Sequence, residues 1–284
     1  MFASHPPSPE RLEANRRKVA SLPPGGDTGV DRYRAALART MRAKAAYDAY
    51  DAGRKALAEK HADIALSKDE QAIHLEPDEG HFYALKGDAL LVQKKNAAAS
   101  DAYTAAIQRN DSFFYYYLQR GLVAERQHDD ESARRDLEAS LKMLPTGPAY
   151  YSLGNIALRA RQCDAARQYV ASAAGAEGPV GEAATLSLMR LELSGNPEKY
   201  LRKQGALDSS GKLVVAIANA TRVPVAGLVV SVQYLDAGGK TREFRRELSG
   251  TLAGGQQVQV ATGLGPFQNS NQFRIAIVGA RVVE

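Results

Sequence analysis

The sequence predicts an α+β multidomain chain: an all-α array of helical repeats followed by a small all-β domain. Three observations carry this. Glycines recur at Gly53, Gly87, Gly121 and Gly154, separated by 34, 34 and 33 residues, in an Ala-, Leu-, Arg- and Glu-rich stretch, and self-similarity at such a period marks a stacked-repeat architecture. Beyond Asn196-Pro197, β-branched residues become common and apolar side chains alternate, the period of a half-buried strand. The composition, 44% hydrophobic and 24% charged over 284 residues, suits a chain that buries cores in one to three domains.

Residues 1 to 29 come first. The Pro-rich run Ser4-His5-Pro6-Pro7-Ser8-Pro9-Glu10 leads into a charged helix. Ser8 is its expected N-cap and Pro9 its first helical residue, where a missing N–H costs nothing. The stretch Ser21 to Gly29, with two prolines and three glycines, reads as a linker.

The repeats occupy residues 30 to 195. Each glycine is followed twelve residues later by Ala65, Ala99, Ala133 and Ala166, and nineteen later by Ala72, Ala106, Ser140 and Ala173. Pro77 and Pro145 stand twenty-four residues after the first and third glycines, and Tyr83, Tyr117 and Tyr150 four before the last three. Two helices that cross closely need small residues where their backbones approach, and a proline ends the second helix because it cannot extend the hydrogen-bond ladder. The pattern resembles the tetratricopeptide repeat, with departures at Ala49, Asp111 and Gly178. Four repeats follow, at about 46–79, 80–113, 114–146 and 147–179. Asp31 to Lys44 is the expected N-terminal covering helix, and Pro179 to Leu193, with Leu186, Met189, Leu191 and Leu193 on an apolar face, the C-terminal one.

From 205 to 284 five alternating runs, beginning near Lys212, Val225, Thr241, Gln256 and Phe273, are separated by turn signals such as Ala237-Gly238-Gly239 and Ala253-Gly254-Gly255. They predict an antiparallel, immunoglobulin-like sandwich.

The repeat resemblance implies a right-handed superhelix whose first helices line a concave surface. The family's ligand-facing positions fall on Tyr47, Tyr50, Arg54, His81, Asp88, Leu91, Tyr115, Leu118, Leu122, Glu125, Tyr151, Asn155, Leu158 and Arg159. This aromatic and aliphatic set suits an apolar protein or peptide segment. The family's carboxylate clamp of Lys, Asn and Arg is not matched; Asn155 alone occupies a suitable position. The run Phe113-Phe114-Tyr115-Tyr116-Tyr117 has an equal claim to packing between repeats.

The opening dozen residues resemble the His-Pro-Pro-x-x-x-Arg segment that closes the catalytic domain of HtpX- and BepA-like zinc metalloproteases and, in BepA-like members, leads into tetratricopeptide repeats. The resemblance implies that His5 matches a loop histidine able to cap the zinc and that Arg11 is structural. It also implies that the chain is the substrate- or partner-binding C-terminal region of a cell-envelope, periplasmic peptidase, with an envelope assembly partner. The family's His-Glu-x-x-His helix, whose imidazoles bind zinc, is missing from the sequence. The chain is therefore expected to be non-catalytic, without a cofactor of its own, the zinc belonging to the parent enzyme. A free-standing scaffold unrelated to proteolysis is the alternative.

Other features exclude more than they suggest. The net charge is +5; residues 205 to 284 carry eight Lys/Arg against five Asp/Glu, and the rest 29 against 27, which predicts a solvated surface and no nucleic-acid groove. The single cysteine, Cys163, cannot form an internal disulfide and is expected to pack as a small residue. His128-Asp129-Asp130-Glu131 falls at an expected turn, and Asn219-Ala220-Thr221 fits a glycosylation sequon by pattern alone. Arg245-Arg246 is either a contact or an edge-strand face. No apolar run approaches the ~18 residues of a membrane span.

Overall fold

The computed structural model describes residues 8–23, 29–236 and 238–283. The chain divides into two units, the first ending at Asp78 and the second beginning at Glu79.

The first unit holds α1 (Pro9–Ala20), α2 (Val30–Ala58) and α3 (Ala62–Leu75). Ser8 caps α1, its hydroxyl accepting the Arg11 N–H at 3.4 Å, with Pro9 in the first turn. The expected covering helix at Asp31 to Lys44 is corrected: no glycine or proline interrupts the chain there, so it continues into the first repeat as one helix of 29 residues. The 14 residues of α3 match only half that length. Ala46, Ala49 and Ala56 in the second half of α2 are buried, as are Ala62, Ala65 and Ala72 of α3. Every described side chain from Val30 to Arg42 is exposed.

The second unit begins with three helix pairs, α4 (Gly80–Val92) with α5 (Asn96–Arg109), α6 (Phe114–Arg126) with α7 (Asp130–Met143), and α8 (Gly147–Arg159) with α9 (Cys163–Ala174). All eight small positions read from the sequence, Ser140 included, are 0% exposed. The glycines obey a rule that their own spacing does not reveal: each faces the residue sixteen positions later. A Cβ on Gly87 would stand 2.7 Å from the Tyr103 ring, on Gly121 2.9 Å from Leu137 Cγ, on Gly154 2.6 Å from Val170 Cγ2 and on Gly53 3.0 Å from Asp69 Oδ1. Asp, Tyr, Leu and Val thus fill one equivalent slot.

Helices α3 and α7 stop two residues short of Pro77 and Pro145. Where Asp111 replaces the proline, the Asn110 side chain accepts the Ser112 N–H at 3.0 Å and turns the chain instead, an Asx turn. Between paired helices, Lys60, Lys94, His128 and Arg161 take φ of 57–64°, a left-handed turn that side chains other than glycine adopt at some cost.

Next comes α10 (Pro179–Glu192). Its small residues meet the array: Gly181 lies so close that a Cβ would reach 1.7 Å from the Ala176 carbonyl oxygen, and Ala184 is buried with Val170 and Ala173. Its large residues turn elsewhere. Met189, together with Leu193 just beyond the helix, is buried in the core of the β-domain, and Leu186 packs against that core. The expected cover for the repeats is therefore corrected to a helix shared by two cores.

The β-domain has six strands: β1 (Leu201–Leu207), β2 (Leu213–Asn219), β3 (Val225–Leu235), β4 (Thr241–Leu252), β5 (Gln257–Ala261) and β6 (Phe273–Val282). The expected start at 205 and the count of five are corrected by β1, whose Leu201 pairs with Asn219 and is buried; Leu-Arg-Lys-Gln-Gly-Ala-Leu lacks the β-branching that marks the others. Two antiparallel sheets, ordered β1-β2-β5 and β4-β3-β6, share one core of Leu213, Val215, Ile217, Val230, Val232, Val260 and Ile277 among others. Gly227, at φ 61°, allows a bulge between Ala226 and Leu228, which switches the buried parity of β3. Asn219 is buried and donates to the carbonyls of Val223 and Leu252, so its amide holds a turn and is not open to a glycan. Two side chains reach strand edges: the Glu198 carboxylate accepts the Ile277 N–H of β6 at 3.2 Å, and Arg246 donates to the Ala261 carbonyl of β5 at 2.8 Å.

Two substitutions test the packing. Ser140 Oγ is buried with no hydrogen-bond partner, so Ser140→Ala is expected to stabilise the chain by about 1 kcal/mol. Gly87→Ala forces Tyr103 aside and is expected to cost about 1–3 kcal/mol. Urea denaturation measures both; a stabilised Gly87→Ala contradicts the close approach.

Candidate functional site

The candidate groove residues divide between the two units. In the first, Tyr47 and Tyr50 meet edge to face with ring centroids 6.4 Å apart. The Arg54 guanidinium lies 5.7 Å from the Tyr50 ring centre and pairs with Asp51 at 3.7 Å.

In the second unit α4, α6 and α8 carry the remainder. His81 belongs to the packing between repeats, its Nδ1 lying 2.8 Å from the buried Tyr116 hydroxyl and its ring edge-on to Phe113 at 4.9 Å. Asp88 is held by two tyrosines. Tyr103 donates to Oδ1 at 2.6 Å, and Tyr115 lies 3.0 Å from both oxygens. Burial pushes the Asp88 carboxyl above its ordinary range, while the two tyrosine hydrogen bonds pull it down. Burial and then the Asp88 charge push the Tyr103 hydroxyl up.

Leu118 is a correction. At 6% exposed it lies in a core with Leu137, Ala149, Leu153 and Ile156, and Leu122 packs against that core half-buried. Position 118 falls on the flank of α6 that meets the next repeat. Tyr151 also turns partly inward, against Val170, Ala173 and Ala184. Leu91, Asn155 and Leu158 are half-buried.

Arg159 joins two acids, Glu125 at 2.9 Å and Asp130 at 2.6 Å. Its hydrogen bond holds the Asp130 carboxyl below the ordinary range, and the same bond pushes the guanidinium up. The acidic turn is thereby explained: Asp129 caps α7 through the Ser132 N–H at 3.1 Å, Asp130 serves Arg159, and His128 occupies the left-handed position. Among the described residues no cluster of His, Cys, Asp and Glu is arranged to hold a metal. Cys163, expected to be packed, is exposed at the start of α9. His5 lies outside the described residues.

Two groups escaped sequence reasoning. Tyr103 occupies the slot facing Gly87, a signal visible only once that sixteen-residue relation is known. Arg120 grips the buried Asp136 through two hydrogen bonds of 2.7 and 2.8 Å and reaches Thr104 at 3.0 Å, joining α5, α6 and α7; a lone arginine on a helix gives no pattern by which to find it. A second concavity of about 670 Å³ lies where α10 meets the β2–β3 turn, lined by Glu182, Leu186, Met189, Tyr200, Arg222 and Val223 among others. What the face carried by α4, α6 and α8 offers chemically is aliphatic and aromatic contact with a few amide and carboxylate partners.

The sequence matches no protein-family model and no curated protein. Among solved structures it is similar to the tetratricopeptide domain of Arabidopsis OM64, at 20% identity and TM-score 0.41, over 42% of this chain and 98% of that one. It is similar to MamA, residue 41 to the end, from Desulfovibrio magneticus, at 17% identity and TM-score 0.46, over 54% of this chain and 85% of that one. The second tetratricopeptide domain of human RPAP3, in complex with an HSP70 peptide, is a third, at 22% identity and TM-score 0.38, over 42% and 97%.

The Asp88 arrangement sets a pH dependence. A carboxyl raised in the folded state contributes stability that is complete below the unfolded value, near ~3.9, and is lost as pH rises through the folded value. Relative to Asp88→Asn, the wild-type chain is expected to lose stability as the pH is raised above about 4. Urea midpoints of the two chains that stay parallel as the pH is raised contradict it.

Proposed function

We propose that this chain is a protein-interaction module that holds an apolar polypeptide segment against the first helices of its repeats. The observation supporting this reading is the set of half-buried aliphatic side chains Leu91, Leu122 and Leu158 on successive first helices, with the Asn155 amide on the same helix as Leu158. The nearby Arg159, Glu125 and Asp130 are committed to one another, which leaves apolar contact as the main source of affinity. Such a surface takes an extended or helical segment through side-chain anchors.

The resemblance of the N-terminal run to the end of a BepA- or HtpX-like catalytic domain extends the proposal. On that reading the chain is the non-catalytic, partner-handling region of a zinc metallopeptidase in the periplasm or cell envelope, where an assembly partner of the envelope would bind. The zinc is the parent's, and His5 is its capping histidine. The two-sheet β-domain is read as an immunoglobulin-like sandwich that keeps the array's end in place. The fusion of α2 across the first repeat boundary favours neither this parent nor a free-standing scaffold.

The binding test uses reduced, carboxymethylated α-lactalbumin as an unfolded ligand. Leu122→Ala combined with Leu158→Ala is expected to weaken capture about tenfold while the chain stays folded by circular dichroism; unchanged capture removes the groove reading. For the parent, a His-Glu-x-x-His codon run in frame upstream is expected, and an unrelated upstream frame supports the scaffold instead.

A further inference from the structure

The net charge of +5 is not spread along the molecule. Residues 9 to 44 carry nine Lys/Arg and four Asp/Glu, and the 28 of each sign in the remainder cancel. A count by predicted domain conceals this, because the β-domain's excess of three cations is offset by the repeats.

The structure places that charge on two helical stretches without a packed face. Every described side chain of α1 is exposed, and so is every one from Val30 to Arg42 in α2. Between Val30 and Arg42 the large apolar residues are Val30, Tyr33, Leu37 and Met41, at 44%, 67%, 37% and 63% exposed. Their steps of three and four residues put them on one face of the helix, with Arg32 and Arg42 on the opposite side, Arg34 flanking the stripe and Lys44 continuing its line. In α1, Leu12 and Val19, at 46% and 67% exposed, lie two turns apart on one face among Arg11, Arg16, Arg17 and Lys18.

We propose that this stretch is a peripheral membrane-docking element: the Val30-Tyr33-Leu37-Met41 stripe enters the headgroup region of an anionic phospholipid bilayer, and the surrounding arginines and lysine meet the lipid phosphates. Charge complementarity selects the occupant. A second copy would bring one positive stretch against another. A nucleic acid would neutralise the arginines and leave the stripe in water. An anionic bilayer satisfies both halves of the helix, because long basic side chains can lay their stems along the apolar boundary and keep their charged ends at the headgroups. Docking requires no membrane span, and no described helix is long and apolar enough to form one. The proposal stands independently of the groove reading.

Flotation of the whole chain with vesicles tests it. Vesicles of phosphatidylglycerol and phosphatidylcholine in equal parts are expected to carry the protein up, and vesicles of phosphatidylcholine alone are not. Tyr33→Ser with Met41→Ser, both strongly exposed, is expected to lower binding about tenfold, as is Arg34→Glu with Arg42→Glu, with helix content unchanged by circular dichroism. Failure to float with the anionic vesicles overturns the proposal. So does flotation insensitive to Tyr33→Ser/Met41→Ser, or binding of the wild-type chain to duplex DNA or polyglutamate as tight as to the anionic vesicles, since either marks a general polyanion site.

Discussion

The second unit depends on one helix serving two cores. The N-terminal half of α10 presents Gly181 to the turn after α9 and Ala184 to α9 itself, and its C-terminal end delivers Met189 and Leu193 into the core of the β-domain. Burying large aliphatic side chains is worth roughly 1.5–3 kcal/mol each, so separating the β-domain from the array would expose apolar surface on both sides. Helix and β-domain therefore share one core. The connection is reinforced just beyond the helix, where Lys199 and Tyr200 both bond the Glu192 carboxylate at 2.5 and 2.6 Å. Burial pushes that carboxyl up, yet the two hydrogen bonds prevail and hold it below its ordinary range. The stretch that joins α10 to β1 is thus an ordered clasp.

The repeats show how one constraint generates different chemistry. The glycine of each first helix leaves room for whatever stands sixteen residues later. In the second repeat that residue is a tyrosine, and its hydroxyl returns to Asp88, one residue after the glycine that admitted its ring. Tyr115 from the next repeat adds a second bond to the same carboxylate. The third and fourth repeats put Leu137 and Val170 in the slot and keep it apolar. A polar cluster sits inside an otherwise hydrophobic array because the spacing fixes the volume available and leaves the side chain free to vary.

Much of the helical architecture was legible because small residues at fixed offsets are required by backbone approach, and the offsets repeat. Residues outside that requirement were harder. The break between a covering helix and the first repeat was expected on the family pattern, but nothing in the residues from 40 to 50 interrupts a helix. The strand β1 was missed because its pairing with β2, and not its own composition, makes it a strand. The left-handed turns at Lys60, Lys94, His128 and Arg161 were illegible because none is Gly or Asn. Of the groove, Leu122, Leu158 and Asn155 stay on the face, whereas Leu118 and His81 are taken by packing between neighbouring helices. Which flank of a helix meets its neighbour depends on crossing geometry, and a single sequence does not state it.

The two side chains that reach the sheet edges have a consequence for growth by strand addition. Exposed edges are templates on which a foreign strand can hydrogen-bond. Glu198, which belongs to no strand, occupies the Ile277 amide on β6, and Arg246 occupies the Ala261 carbonyl on β5. An incoming strand would have to displace a charged partner at each place before gaining its first backbone bond. The domain therefore carries built-in stoppers against templated polymerisation, and one of them is supplied by the clasp that joins it to the helices.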